Sequence, residues 1–146
     1  MTATTNKMGL APVIALSHGG GPMPLLGDPG HASINRSLQE RIPKLLSLDD
    51  AKKKPKAIIL VTAHWSTPTP TITSSDAPDL IYDYYGFPPE AYEVKYPAKG
   101  SSAIAKDVSE AMKREGLDGV SLEGRGWDHG VFVPLKMAIP AADIPI

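Results

Sequence analysis

The sequence contains no cysteine, and this absence limits the metal chemistry open to the protein. Without cysteine the chain forms no disulfide and binds no metal through thiolate sulfur, which excludes the cysteine-rich zinc sites. Any metal ion must therefore be held by imidazole nitrogens or carboxylate oxygens. The chain has four histidines and 16 acidic residues that could supply them.

The sequence also has no long apolar run and almost no net charge. No stretch approaches the roughly 20 apolar residues of a membrane-spanning helix. The apolar run near the N-terminus is interrupted by Pro12 and ends in polar residues, which makes it a poor signal peptide. A formal net charge of −1 and a pI of about 6.4 create no field that would gather nucleic acid or anionic lipid. We therefore expect a cytoplasmic protein that binds neither a membrane nor a nucleic acid.

Three common catalytic motifs are missing as well. The G-x-S-x-G elbow of serine hydrolases is absent, although H-G-G-G (residues 18–21) is similar to the oxyanion loop of esterases. The P-loop pattern and the dinucleotide-binding G-x-G-x-x-G are also absent. The glycine run over residues 19–21 therefore needs another explanation, because consecutive glycines are costly to order and are useful where the backbone must approach a ligand closely.

The remaining composition is that of an ordinary globular protein. Apolar residues make up 42% of the chain and charged residues 21%, and a chain of this length can bury a sizeable core. The 15 prolines and 13 glycines predict many turns and loops. We predict a single domain over residues 1–146, in which residues 1–11 form a flexible N-terminal tail.

Strand-like and helical patterns alternate along the chain. Short apolar runs over residues 12–17 and 56–65 predict strands, the second buried on both faces because its apolar run is continuous. The other patterns predict weaker strands over residues 69–74 and 120–123, helices over 33–42, 101–115 and 131–138, a long loop over 75–100 and the opening of a strand at 144–146. This alternation predicts an α/β fold with a mostly parallel central sheet flanked by helices.

Both predicted apolar strands end in a histidine. His18 lies in S-H-G-G-G-P (residues 17–22), and His64 lies in T-A-H-W (residues 62–65). Ligands collect at the carboxyl ends of parallel strands, so the two imidazoles could converge on one metal ion. They could equally form a hydrogen-bonded structural pair. The glycines beside His18 leave room for a ligand and Trp65 offers a wall beside His64, which favours the metal site.

Two further histidines lie in loops. His129 follows Asp128 in W-D-H-G (residues 127–130), where a carboxylate could hold one imidazole tautomer for acid–base chemistry. Alternatively, Asp128 caps a helix and the histidine is incidental. His31 lies in a turn before a helix and is expected to be a surface residue.

An aromatic stretch interrupts the long loop. Its rings could line a pocket for a planar substrate or could simply pack beneath the loop. The residues are Tyr82, Tyr84, Tyr85, Phe87 and Tyr92.

Five motifs in this order carry a family resemblance: S-H-G-G-G-P-M-P, T-A-H-W, Y-D-Y-Y-G-F-P, Y-P-A-K-G and W-D-H-G-V-F-V-P-L. Together they resemble the class III extradiol ring-cleaving dioxygenases of the DOPA-dioxygenase type, which are related to the LigB catalytic subunit. The resemblance runs from residue 12 to the end. It implies a LigB-like α/β fold of which residues 12–146 are the N-terminal portion of the catalytic domain.

The resemblance also implies a reaction and a site. A catechol-type substrate and O2 would meet at one divalent metal ion, Fe(II) for catalysis or Zn(II) as bound, in an oxidoreductase of aromatic compound metabolism. His18 and His64 would be the metal ligands, and His129 would be the catalytic residue near the substrate. The predicted substrate contacts are Gly20, Trp65, Tyr85 and Asp128.

Family members are longer, and the resemblance places their remaining metal ligand and another active-site histidine further along the chain. We therefore expect a C-terminally truncated form, whose activity is an open question. Two alternatives remain, a non-catalytic metal-binding protein on the same fold and a metal-dependent hydrolase. The sequence indicates no oligomeric state.

Overall fold

A computed structural model describes residues 11–146 of the chain. The predicted N-terminal tail lies outside the described residues, except for Ala11. Helices and strands follow one another in this order: a 3₁₀ turn Pro29–His31, α1 Ala32–Arg36, a π-type turn Ser37–Arg41, α2 Ile42–Leu45, β1 Thr71–Thr73, a 3₁₀ turn Pro89–Tyr92, α3 Ser102–Arg114, β2 Ser121–Glu123 and α4 His129–Ala138.

The two strands of the described region pair in parallel, as the sequence predicted. Thr71 lies opposite Ser121 in the register of β1 and β2. Backbone pairing resumes further along the same two chain segments, where Leu80 forms a parallel bridge with Trp127 and the Ile81 N–H donates to the Trp127 carbonyl at 2.7 Å. This parallel pairing with flanking helices confirms the α/β fold class.

The predicted strands over residues 12–17 and 56–65 are wrong in two respects. Neither run is a β-strand in the structure, although the Ile58 N–H donates to the Pro145 carbonyl at 2.8 Å. The second run is also not buried on both faces, since Ile59 and Val61 are 70% and 93% exposed. The burial was overestimated because only one side of each run packs against the core, through Ile14 and Leu16 in the first run and Ile58 and Leu60 in the second.

The first helix is longer than predicted. The chain is helical from Pro29 to Leu45, so Pro43 lies inside the helical segment rather than at its end. A proline ring normally crowds the carbonyl of the preceding turn and cannot donate a hydrogen bond to it. The π-type turn Ser37–Arg41 widens the backbone just before the proline, which lets the helical path continue.

Both ends of α3 agree with the sequence. Ser101, the first residue of the predicted range, is the N-cap, and its hydroxyl accepts the Ile104 N–H at 3.2 Å. The helix ends before Gly116, whose φ of +83° suits the left-handed residue that closes many helices. With 13 residues α3 is the longest helix described, and no helix in residues 11–146 is long and apolar enough to cross a membrane.

The most buried helix is α4, which begins two residues before the predicted helix over residues 131–138. Phe132 and Val133 are fully buried, and they pack in one cluster with Leu38 of the first helical segment. The first residue of α4 is His129. The most buried part of the structure therefore fixes the position of this histidine.

Candidate metal centre

Three histidines from distant parts of the chain meet at one place. One ring nitrogen from each of His18, His64 and His129 lies within 4.8 Å of the others. The Nε2 atoms of His18 and His64 are 3.1 Å apart, and the rings of His64 and His129 have centroids 4.2 Å apart. The structure thus brings together the two histidines expected at strand ends and adds His129 to them.

Side chains alternate between the core and the outer side along the two extended runs, and this alternation positions His18 and His64. In each run every second residue packs against the core, and the histidine lies in the same alternation, directly after Leu16 in the first run and after Thr62 in the second. The inward residues are Ile14 and Leu16 before His18, and Ile58 and Leu60 before His64. His64 is exposed, His18 is half-buried and His129 is buried, so the cluster opens toward solvent at His64.

The donor set fits one transition-metal ion. Two nitrogens bound to the same ion at about 2.0–2.2 Å lie roughly 3 Å apart, as the Nε2 atoms of His18 and His64 do. Burial lowers the pKa of His18, and the neighbouring His129 and His64 lower it further. This favours the neutral imidazole, which is the form that binds iron, zinc, copper or nickel. The three histidines could therefore hold a metal ion.

Asp83 supports His129, a contact that the sequence did not predict. Its Oδ1 accepts the His129 backbone N–H at 2.9 Å and lies 2.8 Å from the His129 Nδ1. Partial burial alone would raise the pKa of Asp83, but the hydrogen bonds from His129 outweigh it and the pKa is lowered. An ionised carboxylate therefore faces Nδ1 and leaves Nε2 of His129 free. The available signal was a single acidic residue between tyrosines in Y-D-Y-Y.

Asp128 lies behind the histidines rather than beside them. It is completely buried, and its Oδ2 accepts from the Arg125 guanidinium at 2.9 Å. Its Oδ1 accepts the Thr62 hydroxyl at 2.9 Å, and the Thr62 oxygen in turn accepts the His64 N–H at 3.1 Å. The side chain makes no cap hydrogen bond to α4. The structure thus links Asp128 to His64 and gives it no surface for the predicted substrate contact.

The glycine run is held by His31, which is not the surface residue expected. The His31 Nε2 accepts the Gly20 N–H at 3.0 Å, while Nδ1 donates to Asp28 at 2.6 Å. Gly19 has a φ of +76°, and a Cβ there would lie only 2.4 Å from the His31 ring. The glycines therefore allow a tight packed turn directly after His18. The substrate contact predicted for Gly20, which is exposed, stays a prediction.

The aromatic stretch packs mainly against itself. Tyr82 and Tyr84 donate their hydroxyls to the carbonyls of Val94 and Ala91 at 2.7 and 2.6 Å. Burial, with the neighbouring tyrosines, raises the pKa of Tyr84 to about 12. Tyr84 has its ring centroid 6.0 Å from that of His129, whereas Tyr85, the predicted substrate contact, is 92% exposed. Packing beneath the loop accounts for Tyr82 and Tyr84, and the role of Tyr85 stays a prediction.

Trp65 is half-buried next to His64 in sequence. The Arg125 guanidinium lies 4.8 Å from the centre of its ring, a cation–π contact. Trp65 also lines an apolar cavity of about 360 Å³ beside α3. Its predicted contact with substrate stays a prediction.

Gly130 leaves the space that the His64 ring occupies, and this gives a test of the cluster. A Cβ on Gly130 would lie 2.6 Å from the His64 Cδ2. We expect Gly130→Ala to push the ring out of the cluster and weaken metal binding about 10- to 100-fold. The exposed His64 ring is the nearest group, although the Cβ would also crowd Asp128 Oδ1 and Thr62 Oγ1 at 3.1 and 3.2 Å. Isothermal titration with Zn(II) measures the affinity.

Gly124→Ala is the matched control, since a Cβ there meets nothing within 4 Å. It should bind metal as the parent chain does. Equal affinities for Gly130→Ala and Gly124→Ala would contradict a role for His64 in metal binding.

The fold and the three histidines define a class, an α/β protein with an imidazole cluster suited to one metal ion. A family model described as the catalytic LigB subunit of aromatic ring-opening dioxygenase matches residues 13–146. The chain therefore belongs to the LigB family, which confirms the resemblance seen in the motifs.

Named relatives agree with this assignment. The dioxygenase tasH of Hapsidospora irregularis is 65% identical over 143 residues, which cover 97% of this chain and 44% of the relative. The 4,5-DOPA dioxygenase extradiol of Beta vulgaris is 43% identical over 95 residues, covering 64% of this chain and 35% of the relative. The protein of that name from Escherichia coli K12 is 33% identical over 135 residues, covering 92% and 45%. The chain spans less than half the length of these relatives.

Proposed function

We propose that this chain is part of an extradiol dioxygenase that cleaves catechol-type rings with O2. The observation that carries the proposal is the cluster of His18, His64 and His129, in which Asp83 holds the third ring. Membership of the LigB family and relatives named 4,5-DOPA dioxygenase extradiol support the same reaction. We further propose that residues 12–146 are the N-terminal portion of one catalytic domain and that the protein is cytoplasmic.

His18 and His64 hold the metal ion in this proposal. Their Nε2 atoms face each other at 3.1 Å and leave the remaining coordination positions for other ligands. Fe(II) is the proposed working ion, although Zn(II) suits the same ligands. When bound, the metal brings catechol and O2 together and mediates electron flow between them.

In this proposal His129 accepts and returns a proton of the substrate. Because its Nδ1 faces Asp83, its Nε2 is free to accept a proton from a catechol hydroxyl and to return it later. In the overall reaction the carbon–carbon bond next to the diol breaks and both oxygen atoms of O2 enter the product. The ring is oxidised and O2 is reduced, so no further reductant is needed. We propose Gly20, Trp65 and Tyr85 as substrate contacts around this centre.

Oxygen uptake tests this proposal directly. The 146-residue chain, loaded with Fe(II) without air, is expected to consume one O2 per catechol added and to form a ring-opened product with a new absorption band. His64→Ala should consume none above background, because a ligand is lost. An oxygen electrode and a diode-array spectrophotometer measure both quantities.

Three other outcomes would contradict the dioxygenase activity of this chain. Equal oxygen uptake by the parent chain and His64→Ala would mean that the uptake does not depend on the site. Tight binding of metal without oxygen uptake would instead support a non-catalytic metal-binding protein. Turnover of an ester or amide without O2 would support a metal-dependent hydrolase.

A further inference from the structure

Parallel backbone pairing brings Asp83 beside His129, although 46 residues separate them in sequence. Leu80 bridges to Trp127, and the Ile81 N–H donates to the Trp127 carbonyl at 2.7 Å. From this point the two segments continue side by side, and Asp83 reaches the first residue of α4. The contact is therefore set by the fold rather than by a chance side-chain rotamer.

The geometry of this contact restricts the imidazole more than a helix cap requires. One oxygen atom, Oδ1, accepts both the backbone N–H and the ring Nδ1–H of His129, at 2.9 and 2.8 Å. A cap would need only the backbone bond. Because both donors belong to one residue, the two bonds fix the ring against its own backbone and leave the ring little freedom to turn.

The same contact also selects a tautomer. An ionised carboxylate only accepts hydrogen bonds, so the nitrogen facing it must carry the proton. In the neutral imidazole the other nitrogen is then unprotonated. Asp83 thus binds Nδ1–H of His129 and leaves Nε2, the other ring nitrogen, as a hydrogen-bond acceptor.

We propose that Asp83 is a positioning residue, which holds His129 in the Nδ1–H tautomer so that Nε2 is the nitrogen that accepts the proton from the substrate. This inference rests on the proposed dioxygenase function for its catalytic consequence. Its structural part, the tautomer and orientation of His129, is independent of that function.

Imidazole ¹⁵N spectra of the metal-free chain test the structural part. At about pH 8, where a free imidazole is neutral, His129 should be a nearly pure Nδ1–H tautomer, with its signals assigned by their loss in His129→Ala. Asp83→Ala is expected to give a mixture of tautomers. Asp83→Asn should lie in between, because its amide oxygen still accepts a hydrogen bond while its NH₂ group can favour the other tautomer.

Asp118→Asn is the matched control, since it changes an exposed carboxylate in the turn between α3 and β2. Its spectrum should equal that of the parent chain. Thermal melting of each variant establishes that it is folded, and Asp83→Asn keeps the test decisive if Asp83→Ala does not fold. An unchanged His129 tautomer in the folded Asp83 variants would overturn the proposal.

Kinetics of the Fe(II)-loaded chain test the catalytic consequence. We expect Asp83→Ala to lower kcat about 10- to 100-fold with little change in KM or in metal stoichiometry, and Asp83→Asn to lower it less. A purely structural cap would change the melting temperature and leave the kcat of the folded Asp83→Asn unaltered, which would also overturn the proposal. If the parent chain consumes no O2, the dioxygenase proposal fails while the ¹⁵N spectra still decide the role of Asp83.

Discussion

For the proposed cleavage of catechol, replacing His129 by alanine is expected to lower the rate about 10²- to 10⁴-fold, the usual contribution of a positioned acid–base group. The metal content should stay near one equivalent, because His18 and His64 still face each other through Nε2 at 3.1 Å. His129 is 8% exposed and its Nδ1 faces Asp83, so its loss removes the free Nε2 without changing the other two rings. Oxygen uptake and metal analysis on the same sample measure both effects.

His64→Ala is the comparison that separates a catalytic residue from a ligand. It should lose metal and activity together, whereas His129→Ala should lose activity alone. Loss of metal in both variants would contradict the assignment and make His129 the third ligand, which its position within 4.8 Å of the others would permit. Full activity of His129→Ala would contradict both roles.

The fold was predictable where local chemistry decides it. Ser101 caps the start of α3 with its hydroxyl, and Gly116 follows its end with a positive φ. Both residues stand next to the helix in the sequence, where their types could be read directly. The runs before His18 and His64 were harder, because an apolar pattern does not reveal how many faces find a partner. Ile59 and Val61 are apolar, which predicted that they would be buried, but both are exposed in the structure.

The candidate site was likewise predictable only in part. His18 and His64 could be expected to meet, because both follow extended runs whose inward side reaches one edge of the fold. Asp83 could not, because its role depends on pairing with a segment 46 residues away. Asp128 was noticed for its place beside His129, but its partners are Thr62, 66 residues away, and Arg125. A substrate contact was predicted for Asp128, but in the folded chain its side chain forms a buried ion pair with Arg125.

Replacing Asp128 by alanine is expected to lower the free energy of unfolding by about 3 kcal/mol, at the lower end of the range for breaking a buried ion pair. The Asp128 side chain is 0% exposed and that of Arg125 is 20% exposed, so the guanidinium left behind regains only part of its hydration. For a chain of this size the loss corresponds to a fall in Tm of roughly 6–12 °C. Metal affinity should fall too, because Thr62 loses its acceptor and then holds the His64 N–H less firmly.

An exposed ion pair and a double variant make this prediction specific. Lys53→Ala breaks the ion pair between Lys53 and Asp50, whose two side chains are 73% and 38% exposed, respectively. This change should lower the free energy of unfolding by less than about 1 kcal/mol. Combining Asp128→Ala with Arg125→Met should cost less than the sum of the two single changes, because no charge is then left buried without a partner. Additive losses, or an Asp128→Ala chain as stable as Lys53→Ala, would mean that the buried pair does not hold this end of the fold.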